Sequence, residues 1–194
     1  MSQALFPGWR PDAGGRERLA ALAAALVAAR PAGAPKLQPR RPDQWHATLC
    51  FIGHGVRELA TPALLDAFAA AASHIPPHAF TVERIAYWPQ SGAVVALPHA
   101  CAELQALCDA TRDAVKSRGI RPEKTTQQPH VTLAYLDRGL GEQAWLAGLD
   151  CAGGPLQVER FELLFNPGGR YEALGAWSLT GSALPTTPRQ ASLL

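Results

Sequence analysis

The sequence predicts an α+β fold built on antiparallel sheet, and three observations carry that prediction. Two strand-like runs, "AFTVERIAYW" and "GAVVALP", are separated only by the turn sequence "PQSG" and read as a hairpin. Helical stripes lie between the strands without the regular alternation of a parallel sheet. One strand also occurs twice, as "HATLCFI" from His46 and as "HVTLAYL" from His130, each time after a helix and a polar loop. The chain has 194 residues, 47% of them hydrophobic, enough to fill one compact core in a single domain or in two small lobes.

The elements follow in order. "ALFPGW" reads as a short first strand interrupted by Pro7. Asp12 and two glycines precede a helix expected from about Arg16 to Arg30, with Leu19, Leu22 and Leu26 on its apolar stripe. "RPAGAPKLQPRRPDQ" is a proline-punctuated loop, and the first His strand after it stops at Gly53. Thr61-Pro62 has the form of an N-cap with proline at the first helical position, opening a helix to about Ser73. After "IPPH" and the hairpin, a third helix is expected over about 100–118, with Leu104, Leu107, Thr111 and Val115 inward and Gly119 just past its end. The second His strand, a short helix near 142–149, and two strands joined by "NPGG" complete the order. The tail from about Ser182 is polar and proline-containing and is not expected to fold.

Composition narrows the function classes. A net charge of +2 gives no broad polyanion-binding surface, although a local cluster can still receive a nucleotide or a nucleic-acid end. Cys50, Cys101, Cys108 and Cys151 have neither CxxC nor zinc-finger spacing and read as free thiols in a reducing compartment. The start lacks a basic n-region followed by a long apolar stretch, and "LAALAAALVAA" is too short to span a bilayer. A soluble cytoplasmic monomer without membrane contact is expected.

The repeated strand is the chemical signal. Alternate side chains of a strand share a face, so His46 goes with Thr48, and Ala47, Leu49 and Phe51 go with the core. His130 and Thr132 likewise stand opposite Val131, Leu133 and Tyr135. A single HxT fits a satisfied core histidine, whereas two copies in matched apolar contexts favour a paired site. Two imidazoles facing one phosphate suit acid–base chemistry, one taking a proton while the other gives one. The threonine hydroxyls can donate to nonbridging oxygens.

In these elements, and in "DQWHATLCFIG", "QPHVTLAYL" and the closing "NPGGRYEALGAWSLTG", the chain resembles the 2H phosphoesterase superfamily. The likeness is greatest to its RNA 2′,3′-cyclic phosphodiesterase branch, long called 2′-5′ RNA ligase-like, and covers about Ala4 to Gly181. It implies a bilobal α+β fold, with two antiparallel sheets facing a central cleft and helices outside, as one domain over residues 1–181 ahead of a tail at 182–194. It implies hydrolysis of 2′,3′-cyclic phosphates on RNA ends or small cyclic nucleotides to 2′-phosphates, without metal or other cofactor, and it allows the reverse 2′-5′ ligation. His46 and His130 are then catalytic, with His130 as base and His46 as acid, and Thr48 and Thr132 bind substrate. Many members have an arginine where this chain has Tyr135, a neutral residue with a single donor that is taken here as a substrate-binding position. Lys124 and Arg170 are the basic residues weighed as replacements. The alternative is a non-catalytic module on the same fold that binds RNA ends or nucleotides.

Other motifs are weaker. His74 and His78 have metal-like spacing, but Pro76 and Pro77 exclude a regular helix between them. Cys101 and Cys108 read as core. "RPEK" with Arg118 reads as a solvated loop or a guide for an RNA strand.

Overall fold

The computed structural model describes residues 3–182, so the expected tail, apart from Ser182, lies outside the described residues. β1 (Ala4–Trp9) leads into α1 (Ala13–Ala28). Four short strands, β2 (Gln38–Pro39), β3 (Ala47–Thr48), β4 (Cys50–Phe51) and β5 (Gly53–His54), come before α2 (Pro62–Ala72). β6 (His78–Phe80), β7 (Val82–Trp88) and β8 (Ala93–Pro98) lead to α3 (Ala102–Ser117). The order ends with β9 (Lys124–Thr125), β10 (Val131–Tyr135), β11 (Leu156–Val158), β12 (Arg160–Asn166) and β13 (Glu172–Ser178).

The fold is α+β, with antiparallel sheets and three helices among the described residues. The main sheet runs β13-β12-β1-β3-β10-β8-β7, with β2 added to β10 and β5 to β1. About its centre the motif β1–α1–β3 has its counterpart in β8–α3–β10, and β12 flanks one side as β7 flanks the other. The central strands β3 and β10 meet through one residue pair, Ala47 with Val131, and the halves are joined further by β2 on β10 and β4 on β9. The strands expected to form two facing sheets are thus hydrogen-bonded into one. The seam is short because each His strand loses regularity soon after its motif, as described below.

All three helices pack on the same face. Leu19, Leu22 and Leu26 of α1, Leu64 and Phe68 of α2, and Leu104, Leu107 and Val115 of α3 share one core with Leu5, Trp9, Leu49, Val94, Val131, Leu133 and Phe161 of the sheet. Each fully buried leucine of this set stabilises the fold by roughly 1.5–3 kcal/mol. Buried Thr111 is satisfied by its own helix, donating to the Leu107 and Cys108 carbonyls at 2.9 and 3.0 Å. The opposite face of the sheet carries the two histidines.

Several elements differ from expectation for local reasons. α1 starts at Ala13, because Asp12 caps it and accepts from the Gly15 N–H at 2.6 Å. A Cβ on Gly15 would lie 2.9 Å from Asp12 Oδ1, so the glycine belongs to the first turn. Pro7 does not interrupt β1. Its carbonyl accepts from the Leu49 N–H at 3.0 Å, and the N–H it lacks would point to that same irregular side. The helix expected over 142–149 is reduced to a 3-10 turn at Ala144–Leu146, since the segment between Gly141 and Gly148 is too short to propagate an α-helix. "LQVERF" supplies an additional strand, β11, which pairs with β6. The Thr61 cap and the hairpin fall where expected, and Gly119 takes a positive φ of 73° at the end of α3.

Candidate active site

Each histidine sits one residue before its strand and is held in the same way. His46 Nδ1 lies 2.8 Å from the Gln44 carbonyl, and His130 Nδ1 lies 3.0 Å from the Gln128 carbonyl, two residues back in both cases. A carbonyl only accepts, so Nδ1 carries the proton and Nε2 is left as the nitrogen free for chemistry. A 3-10 turn at Pro42–Gln44 sets up the first contact, and buried Pro129 stiffens the approach to the second. Thr48 lies opposite Gly8 and Thr132 opposite Val95, which places both threonines on the helix-free face with the histidines. Gly8 keeps the floor beside Thr48 low: a Cβ there would come within 3.2 Å of the Ala47 carbonyl and of Leu164 Cδ1.

The structure shows one irregularity per copy that the alternation rule misses. The first His strand bends at Leu49, between β3 and β4, and β10 shifts register against β8 between Thr132 and Ala134. One extra residue moves the following side chains to the other face. Leu49 and Cys50 are therefore both buried, as are Leu133 and Ala134. Phe51 and Tyr135, expected on the core side, come round to the histidine face. Phe51 stacks near Phe6 with ring centroids 6.4 Å apart, and Tyr135 packs with Trp88 against Ala93, Val95 and Leu97.

Aromatic rings flank both imidazoles. Phe6 is 5.0 Å and Tyr171 4.9 Å from the His46 ring, the latter edge-on, and Trp88 is 4.2 Å from His130. This apolar packing governs the proton affinities. Desolvation pushes His46 from 6.5 down to about 4; its bond to Gln44 opposes the shift, while Arg40, His130 and Arg10 add to it. Burial also lowers His130, against the support of the Gln128 carbonyl. Both rings therefore rest neutral at pH 7.

Arg40 is a further residue near the imidazoles that sequence reasoning missed, as are Phe6, Trp88 and Tyr171. The pairing of β2 with β10 and an Arg40 N–H bond of 2.7 Å to the Leu133 carbonyl bring it over the second His strand. Its guanidinium stands 5.6 Å above the Tyr135 ring, and Nη2 donates to Tyr171 Oη at 2.9 Å. The signal was the "PRRP" stretch just before the first motif, but only the long-range strand pair says where those arginines go. Of the two replacements weighed from sequence, Lys124 is exposed opposite Phe51 on β9, and Arg170 is exposed in the turn after β12. Nearby, buried Glu162 holds Arg10 at 2.6 Å and is also paired with Arg160.

Elsewhere the chemistry is quiet. His74 Nδ1 lies 2.7 Å from the Ala70 carbonyl and His78 Nδ1 2.9 Å from the Pro76 carbonyl, so the two rings are held separately. Among the described residues no group of three His, Cys, Asp or Glu side chains is placed to hold a metal ion. The four cysteines are free, and burial pushes Cys50 up to about 11 and Cys108 up to about 12, which keeps both thiols protonated. Among the described residues no helix is long and apolar enough to cross a membrane.

Comparison with known proteins agrees with this architecture. The model of the LigT-like phosphoesterase family matches residues 10–95, a span that includes His46 and Thr48 and ends before His130. No curated protein matches the sequence. Among solved structures, TT0787 of Thermus thermophilus superposes with a TM-score of 0.71 at 23% identity, covering 93% of this chain and all of that one. E. coli LigT complexed with 3′-AMP gives 0.68 at 21% identity, covering 93% of this chain and 99% of its own. Residues 10–95 are thus similar in sequence to the LigT-like phosphoesterases, and 93% of the chain has a fold similar to that of LigT.

Proposed function

We propose that the cleft hydrolyses 2′,3′-cyclic phosphates on RNA ends or nucleotides to 2′-phosphates by paired-histidine catalysis, without a metal. The observation that carries this reading is the matched pair of imidazoles, each with Nδ1 tied to the carbonyl two residues back and Nε2 left free. One ring takes a proton from water as its oxygen attacks phosphorus. The P–O3′ bond breaks, and the other ring gives its proton to the departing O3′. Thr48 and Thr132 donate to the nonbridging oxygens, and Tyr135 binds substrate from the same face. A 5′-hydroxyl in place of the water yields a 2′-5′ phosphodiester by the same steps.

The resemblance assigns His130 as base and His46 as acid. Burial works against that order in the free protein, since it depresses the His46 proton affinity to about 4. An anionic phosphodiester beside the ring restores it, because a nearby opposite charge favours the charged form of an imidazole. E. coli LigT, which shares the fold, has been solved with 3′-AMP, phosphate and ATP, and those ligands support a nucleotide-sized phosphoester as the substrate class. The test is incubation with a nucleoside 2′,3′-cyclic phosphate followed by identification of the product isomer. A 2′-phosphate is expected. A 3′-phosphate would mean that the substrate lies reversed across the two motifs, and absence of turnover would end the reading.

A further inference from the structure

We propose that Arg40 is the phosphate-binding cation of the cleft, held in place by Tyr135 and Tyr171. The inference rests on the phosphoesterase reading for its ligand class, a phosphate monoester or diester. Three features of Arg40 point to an anion. It is partly buried yet forms no ion pair with a carboxylate among the described residues, unlike Arg10, whose charge is met by Glu162. Its buried Nε finds no acceptor there. Its position is built from three sides: the β2–β10 pairing fixes the backbone, Tyr171 Oη takes one Nη2 proton at 2.9 Å, and the Tyr135 ring supports the planar face at 5.6 Å. That leaves Nε and Nη1 uncommitted. A half-buried guanidinium with no carboxylate partner is an incomplete arrangement, and a phosphate oxygen on Nη1 completes it. Its positive charge also reaches His46, so an anion seated on Arg40 lies beside the imidazole whose proton it must support.

The arrangement makes Tyr135 a platform as well as a wall. Because Arg40 lies over that ring, an arginine at position 135 would put its guanidinium into the same space from the opposite strand. This gives a test by relocation. Affinity for inorganic phosphate and for a nucleoside 2′-phosphate is measured by calorimetry in the wild type, Arg40→Ala, Arg40→Gln and the double variant Arg40→Ala/Tyr135→Arg. Arg40→Gln keeps a donor for Tyr171 Oη while removing the charge, and it answers the question if Arg40→Ala fails to fold. Either single variant is expected to weaken phosphate binding about tenfold or more and to raise KM more than it lowers kcat. Tyr135→Arg is expected to restore most of the loss in the Arg40→Ala background. Wild-type affinity in Arg40→Gln overturns the proposal, and so does a loss that the relocated guanidinium does not restore. The two readings fail separately. Arg40-dependent phosphate binding in a protein that leaves cyclic phosphates intact removes the proposed reaction only. Turnover with Arg40-independent phosphate binding removes this assignment only.

Discussion

The enclosed imidazole of His46 makes a prediction about acid stability that does not depend on any substrate. Its proton affinity is lowered from 6.5 to about 4, with desolvation as the largest cause. An unfolded chain takes up this proton as pH falls through 6.5, whereas the native state resists until about 4. Stability from this group is therefore complete above 6.5, declines steadily as pH falls toward 4, and changes no further below it. At about 1.4 kcal/mol per pH decade the loss between pH 7 and pH 4 is about 3 kcal/mol. The perturbation is His46→Gln, which retains a polar side chain and does not titrate. Urea unfolding at pH 7, 5.5 and 4 gives each protein's loss of stability, and the difference between the two losses isolates His46 because the other acid-sensitive groups are common to both. The wild type should lose about 3 kcal/mol more than the variant over the interval. If the two proteins lose stability in parallel, His46 titrates as an ordinary histidine and the enclosure argued from Phe6 and Tyr171 is wrong. An NMR titration of the His46 ring protons checks the same point directly.

Replacing either His46 or His130 by Ala is expected to cut turnover of a cyclic phosphate about 10²-fold or more while far-UV circular dichroism is unchanged. In the free protein both imidazoles lie below the ordinary histidine value, so the kcat/KM profile should be a bell with both limbs below pH 6.5; a plateau reaching pH 8 would contradict the environment described for the pair. Turnover should persist in a strong chelator, with loss and divalent-ion rescue as the contrary result. Gly92→Ala should destabilise the fold by about 2 kcal/mol or more in chemical denaturation, because the residue has φ of 75° and a Cβ would run into the Leu136 carbonyl oxygen.

What the sequence made legible was local. The Thr61-Pro62 cap, the "PQSG" hairpin and the apolar stripe of α3 are each encoded within a few residues, and the structure places them accordingly. The site's skeleton was legible because it is written twice, and His46, Thr48, His130 and Thr132 share the helix-free face. Phe51 and Tyr135 were misplaced because strict alternation has no term for an extra residue. The bend at Leu49 and the register shift after Thr132 depend on the partner strands, not on the motif. Arg40 was missed for a related reason. Nothing within "QPRRPDQ" says that Pro39 will pair with Ala134, yet that pairing is what carries the guanidinium to Tyr135. The rings beside the imidazoles, Tyr171 and Trp88, come from segments far from either motif, so only the folded sheet brings them together.

The strand order has a consequence for how the molecule is assembled. β7, β8, α3 and β10 follow one another with only the two-residue β9 between α3 and β10, so the half that carries His130 closes through nearby segments. The half that carries His46 is discontinuous: β1 lies between β3 and β12, and Ala4 is registered with Asn166. On a ribosome the first strand must wait, with one edge unfilled, until nearly the whole chain has emerged. Closing so long a loop is slow compared with local pairing. Over that interval the exposed edge of β1 is the point most open to wrong partners. The order of synthesis thus favours maturation of the His130 half first, and the cleft acquires its second imidazole environment only when the last strands return to the first.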